Sequence, residues 1–84
     1  MIKVRVFGLF RLDTGIKEMD VQACSVRELY PLLLAEARRL HPDTKITAKD
    51  IDGCIISVND KPGKKSSKLS DGDVVQLMSP VCGG

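Results

Sequence analysis

The sequence predicts an α+β domain in which a mixed sheet of four to five strands packs against one main helix. Three observations carry that expectation. Apolar and polar residues alternate with period two near the start of the chain, past its middle and near its end, the pattern of half-buried strands. Over 26–40 the apolar residues instead recur at helical spacing. The chain has 84 residues, enough for one domain that buries roughly 60% of the surface its unfolded form exposes, and so for one small core.

Taken in order, Ile2, Val4 and Val6 alternate with Lys3, Arg5 and Phe7, so the first strand should turn Ile2, Val4 and Val6 inward. Asp13, Thr14 and Gly15 are turn residues, and Met19, Val21 and Ala23 resume the alternation, which reads as an antiparallel hairpin. Ser25 with Glu28 has the spacing of a capping box, opening a helix over 26–40 with Val26, Leu29, Tyr30, Leu33, Ala37 and Leu40 on its apolar face. Pro31 lies too deep for the tolerated first helical position, so it should kink the helix or move its start later. Leu32 and Leu34 widen the apolar stripe, as expected of a helix around which a sheet curls. His41-Pro42 ends the helix, because proline cannot continue it. The stretch 44–53 reads as a connection in which Thr47 and Asp50 cap one short helical turn.

Cys54, Ile56 and Val58 then alternate with Ile55, Ser57 and Asn59 as a third strand, closed by a turn at Asp60-Lys61-Pro62-Gly63. Lys61, Lys64, Lys65 and Lys68, with no aromatic between them, read as a solvated, mobile loop. A Gly-centred turn at Ser70-Asp71-Gly72-Asp73 returns the chain to a last strand with Val75 and Leu77 inward and Gln76 and Met78 outward. Asp71 and Asp73 lack the twelve-residue loop of a calcium site.

Composition excludes more than it proposes. A net charge of +2 gives no reason to expect nucleic acid or membrane as a partner, and 43% apolar with 29% charged residues is ordinary for a soluble domain. No run approaches the roughly 18 apolar residues of a membrane span, and the alternating start is not a signal peptide, so a cytoplasmic protein is expected. Cys24, Cys54 and Cys82 are widely spaced and form no metal-type pair; Cys24 and Cys54, among apolar neighbours, should be small buried hydrophobes. His41, without a second His or a carboxylate at ligand spacing, offers neither a catalytic nor a metal site. No general base, metal site or phosphate loop is apparent, so a chain that is not catalytic alone and binds no cofactor is expected.

The last residues, Ser79-Pro80-Val81-Cys82-Gly83-Gly84, follow directly on an apolar strand. Two terminal glycines add nothing to a core and normally fray. They form a thread thin enough for a narrow channel, presenting the Gly84 carboxylate to a partner's active site. A division into a folded domain over 1–78 and an extended tail over 79–84 follows.

This element order resembles the β-grasp, or ubiquitin-like, fold. In that fold the first and last strands lie parallel and adjacent, and parallel neighbours finish at the same edge. Phe7 and Met78, outward near the ends of these strands, should therefore flank the tail, with Ile55 facing the same way, as an apolar partner surface.

Leu69-x-Asp71-Gly72-Asp73-x-Val75 followed by Pro80-Val81-x-Gly83-Gly84 is similar to the tail of the MoaD family, the small sulfur-carrying subunit of molybdopterin synthase, within the MoaD/ThiS group. Val4-Arg5-Val6-Phe7, the helix opening at Ser25-Val26-Arg27-Glu28-Leu29 and Val58-Asn59 extend the resemblance along the chain. Departures are Met78 for an aromatic, Ser79 for the first proline and Cys82 for alanine.

The resemblance implies a sulfur relay. A ubiquitin-activating-type adenylyltransferase (MoeB/ThiF-like), using Mg-ATP, would adenylate Gly84; a persulfide enzyme would supply sulfur to form a thiocarboxylate; and a MoaE-like large synthase subunit would pass that sulfur to a pterin precursor in molybdenum cofactor biosynthesis. Gly83 and Gly84 would carry the chemistry, and Phe7, Met78, Pro80, Val81 and Cys82 would meet the partners. A ThiS-like carrier for thiamine thiazole synthesis is the nearer alternative, against which length and Pro80-Val81 speak. The other is a ubiquitin-like modifier joined through Gly84 to lysines, since the same activated tail serves both chemistries. The Cys82 thiol is read as a small tail residue, with reaction at the activated carboxylate as its alternative.

Overall fold

The computed structural model describes residues 1–79. Alternation decides the first strand: β1 (Ile2–Phe7) buries Ile2, Val4 and Val6 and turns Lys3, Arg5 and Phe7 to the opposite face. A short helix follows, α1 (Leu9–Thr14), then β2 (Glu18–Val21), α2 (Val26–Leu40), α3 (Ala48–Asp52), β3 (Ile55–Val58), β4 (Lys61–Pro62) and β5 (Val74–Met78). The sheet order is β2-β1-β5-β3-β4; β1 and β5 run parallel and every other pair is antiparallel. This is the β-grasp arrangement, with α2 in the crossover that brings β5 alongside β1.

The core lies between the sheet and α2. Val4, Val6, Val75, Leu77 and Ile56 of the sheet meet Val26, Leu29, Tyr30, Leu33 and Ala37 of the helix in one buried cluster. Fully burying an aliphatic side chain of this size contributes about 1.5–3 kcal/mol before the entropy of ordering the chain is subtracted. The helix spans the predicted residues, and Pro31 neither ends it nor delays its start. Pro31 is solvent-exposed, so its ring stays clear of the core while its missing N–H leaves one backbone bond unmade. Of the two residues that widen the stripe, Leu34 packs half-buried against the core as expected, but Leu32 turns outward, so the sheet covers only one side of the widened face.

Three local expectations are corrected. Between β1 and β2 the chain forms α1 rather than a tight turn, although the two strands do pair antiparallel. The Ser25–Glu28 pair does not close a capping box: the Glu28 carboxylate accepts the Cys24 N–H at 3.3 Å and the Ser25 hydroxyl at 3.4 Å. The first N–H groups of α2 instead reach across the chain, Val26 to the Ser67 carbonyl at 2.9 Å and Arg27 to the Lys65 carbonyl at 3.1 Å. That contact also ties down the lysine-rich loop expected to be mobile. Finally, the β3–β4 turn sits two residues earlier than predicted, centred on Asn59 and Asp60, both with positive φ, which places Lys61–Pro62 in a strand. The Asn59 side chain holds the turn, donating to Asp73 at 2.9 Å and accepting the Val74 N–H at 3.0 Å. The short helix after 44–47 is capped as expected, Asp50 accepting the Thr47 N–H at 2.8 Å.

A second clamp joins α2, α3 and the lysine loop. The Tyr30 hydroxyl donates to Asp52 at 2.7 Å, and Lys65 lies 4.9 Å from the Tyr30 ring centroid and 3.6 Å from Asp52. Burial, then the hydrogen bond to Asp52, pushes the Tyr30 phenol up to about 12, and the same bond holds Asp52 below the usual carboxylate range. The unfolded chain ionises its tyrosine near pH 10. The neutral phenol's contribution to stability is therefore intact below pH 10 and is lost as pH rises from 10 towards about 12. Tyr30 is the only tyrosine, so ultraviolet titration should show one phenol ionising well above pH 10, and Asp52→Ala should bring that midpoint down. A midpoint at 10 in the unsubstituted protein contradicts the clamp.

Candidate functional site

Every β-strand places alternate residues on opposite faces, so the residues that escape the core line up on the far side of the sheet. At the end of β1 this residue is Phe7. Parallel pairing sets it opposite Met78, and the antiparallel pairing of β3 with β5 sets Met78 opposite Ile55. Three apolar side chains thus form one row across β1, β5 and β3, about 10 Å from end to end at ordinary strand spacing. Met78 is 41% exposed and Ile55 58% exposed, while Phe7 is half-buried. The row predicted around Phe7 and Met78 is present, and Ile55 completes it.

Charge borders this row on one side. Glu18 of β2 accepts Lys3 at 3.3 Å and lies 3.4 Å from Arg5, while Lys3 also lies 3.9 Å from Asp20. The Arg5 guanidinium sits 5.8 Å from the Phe7 ring centroid, at the boundary between the ionic strip and the apolar row. The next row down, Arg5, Gln76 and Ser57, is polar throughout. The apolar surface is therefore confined to the edge at which β1 and β5 finish.

Just beyond that edge the chain meets α1. Gly8, with φ 74°, turns the chain out of β1, and Ser79 leaves β5 beside it. The Ser79 hydroxyl accepts the Phe10 N–H at 2.9 Å. Phe10 anchors α1 in the core, Thr14 donates its hydroxyl to the Phe10 carbonyl at 2.7 Å, and Gly15 closes the helix in the left-handed conformation. On the outer side Leu9 and Leu12 are exposed, lining a shallow groove with Arg11, Lys17 and Ser79. Sequence reasoning missed these two leucines. Their i,i+3 spacing was the available signal, hidden because the six-residue helix also contains turn residues.

The remaining expected site residues, Pro80, Val81, Cys82, Gly83 and Gly84, lie outside the described residues. Of the other cysteines, Cys54 packs against the core and burial pushes its thiol up, whereas Cys24 is exposed and not the buried hydrophobe expected, because the chain turns there to enter α2. Among the described residues no three His, Cys, Asp or Glu side chains gather as metal ligands, and no helix is long and apolar enough to cross a membrane.

Residues 4–84 match the model of the ThiS family. Among solved structures, the chain is 28% identical to one in the complex of subunits 1 and 2 of molybdopterin-converting factor from Helicobacter pylori 26695, with a TM-score of 0.64 over 99% of this chain and 97% of that one. It is 26% identical to a putative molybdopterin converting factor, subunit 1, from Pyrococcus furiosus, with a TM-score of 0.69 over 95% of this chain and 97% of that one. Small archaeal modifier protein 1 of H. volcanii shares the fold, at 17% identity and a TM-score of 0.66 over 95% of this chain and 97% of that one. The comparison with curated proteins yields no match.

Proposed function

Because the chain belongs to the ThiS family, a group of ubiquitin-like sulfur carriers, we propose that it carries sulfur as a thiocarboxylate on Gly84 and delivers it to molybdopterin synthesis. One geometric observation carries the reading. β1 and β5 end at the same edge, so the apolar row of Phe7, Met78 and Ile55 lies beside Ser79, from which the chain continues to Gly83 and Gly84. The narrower molybdopterin assignment draws on the Pro80-Val81-x-Gly83-Gly84 motif and on the likeness to subunit 1 of molybdopterin-converting factor at 28% and 26% identity.

The chemistry needs little from this chain beyond its terminus. A terminal carboxylate with a pKa of roughly 3.3–3.7 is ionised at neutral pH, and its resonance makes the carbonyl carbon inert to nucleophiles. In the active site of a MoeB/ThiF-like partner holding Mg-ATP, a Gly84 oxygen attacks the α-phosphorus, a P–O bond forms and pyrophosphate leaves. The resulting mixed anhydride is open to attack. The terminal sulfur of a partner's persulfide adds to the carbonyl carbon and AMP departs, leaving an acyl disulfide; a second thiol then reduces its S–S bond and frees the thiocarboxylate. A MoaE-like subunit, docked on the apolar row, receives the tail and draws the sulfur on to a pterin precursor. Absence of a side chain at 83 and 84 lets the thread enter both active sites.

Intact mass spectrometry tests this directly. Incubation with a ThiF-type adenylating enzyme, Mg-ATP and a persulfide donor should raise the mass by about 16 Da, sulfur replacing oxygen. The added sulfur should then be lost on mixing with the large synthase subunit and the pterin precursor. A lysine-linked adduct instead of a mass gain favours the modifier chemistry, and no reaction of either kind sinks both.

A further inference from the structure

Ser79 does more at this edge than follow the last strand. The first N–H groups of a helix have no partner within the helix and are usually met by a side chain from the residue just before it. In α1 that residue is Gly8, which has no side chain. Ser79 fills the role from 69 positions away, its hydroxyl accepting the Phe10 N–H at 2.9 Å. The fit depends on glycine. A Cβ at Gly8 would stand 2.8 Å from the Ser79 hydroxyl oxygen and 3.5 Å from both its backbone nitrogen and its carbonyl oxygen, and the φ of 74° disfavours any other residue there. The body to which Ser79 is tied is itself fixed: Phe10 is buried, and the Thr14 hydroxyl bonds the Phe10 carbonyl and accepts the Ile16 N–H at 3.1 Å.

Resting on the sulfur-carrier reading, we propose that Ser79 is a positioning residue: its bond to Phe10, made possible by Gly8, latches the root of the tail to α1 and sets the point and direction from which Gly84 is presented. Gly84 lies five residue steps beyond Ser79, a reach of at most about 18 Å from a fixed origin. Freeing the root enlarges the volume that the carboxylate samples, so a smaller fraction of molecules stands ready for the partner. Apparent affinity falls in proportion to that fraction. Chemistry after docking is unchanged, because the partner's channel then holds the tail. The latch therefore acts on KM and not on kcat, which separates it from a catalytic role.

Ser79→Ala, with Ser79→Thr as the hydroxyl-retaining control, tests this. In Ser79→Ala the Phe10 amide should exchange with solvent at least about 10-fold faster, the order parameter of the Val81 amide should fall, and KM with the adenylating enzyme should rise about 3–10-fold, with kcat within about twofold, as expected for one lost hydrogen bond. Ser79→Thr should return all of these towards the unsubstituted values. Faster Phe10 exchange with an unchanged KM reduces Ser79 to a helix cap and overturns the proposal, as does a fall in kcat alone or a failure of threonine to restore KM. If no adenylating enzyme accepts the unsubstituted protein, the sulfur-carrier reading fails. The latch then stands on the two NMR measurements, and is overturned if Phe10 exchange or Val81 order is the same with alanine.

Discussion

Deleting Gly84 should abolish thiocarboxylate formation, by at least about 100-fold, while leaving the melting temperature within about 2 °C. The two halves of this expectation have separate physical origins. On the side of stability, β5 ends at Met78 and, among the described residues, the last deeply buried side chain is Leu77 at 1% exposure, so the core over residues 1–79 is closed before Gly84 is reached. A terminal glycine contributes no side chain and its backbone entropy opposes ordering. On the side of chemistry, the deletion leaves a carboxylate on Gly83 that has retreated by one residue, about 3.5 Å. A misplacement of 1 Å at a reacting centre already costs on the order of 100-fold, because reaction needs the attacking oxygen in line with phosphorus. Intact mass after the activation reaction and a thermal melt on the same sample decide the matter. A collapse in melting temperature shows that the tail belongs to the fold, and an unchanged mass gain shows that Gly84 is not the reacting residue.

Met78→Asp should weaken binding of the synthase's large subunit by about 30–1,000-fold, the range of an interface residue whose loss costs 2–4 kcal/mol. Met78 is the middle of the apolar row, paired with Phe7 on one side and Ile55 on the other, and a carboxylate there must be desolvated against apolar neighbours when the partner closes over it. The free domain is affected much less. Met78 faces away from α2 and is 41% exposed, so an aspartate stays hydrated until docking, and the cost to folding should be about 1 kcal/mol or below. Gln76→Asp is the internal control: it lies two residues earlier on the same strand and face, in the polar row with Arg5 and Ser57, and should change the dissociation constant by less than about threefold. Calorimetric titration of the two variants compares them directly. Equal dissociation constants for Met78→Asp and the unsubstituted protein remove the apolar row as a docking surface.

Much of this arrangement was legible without coordinates. Alternation at Ile2, Val4 and Val6 and at Val75 and Leu77 marked the inward faces because burial on one face of a strand admits only one register. Helical spacing from Val26 to Leu40 placed α2 with its bounds, and Thr47 with Asp50 announced α3, since both signals lie within a few residues of the structure they specify. The outward turn of Phe7 and Met78 followed once the parallel pairing of the end strands was expected.

What failed to show was held by partners distant in sequence. The capping spacing at Ser25 and Glu28 was present, yet the amides at the start of α2 are met by Ser67 and Lys65, which no window around Ser25 contains. The two-residue turn at Asn59-Asp60 was displaced by the stronger local signal of Pro62-Gly63, and it is fixed by Asp73 and Val74 across the sheet. α1 is too short to be stable by its own propensity, and its start is capped by Ser79.

The sequence by itself therefore determined which faces are apolar and where the long helix runs, because periodicity is a property of neighbouring residues. Only the tertiary structure decided that Phe7, Met78 and Ile55 stand in one row and that Ser79 is bound over Gly8. Both depend on the parallel register of β1 and β5, which the crossover through α2 and the packing of the whole core impose.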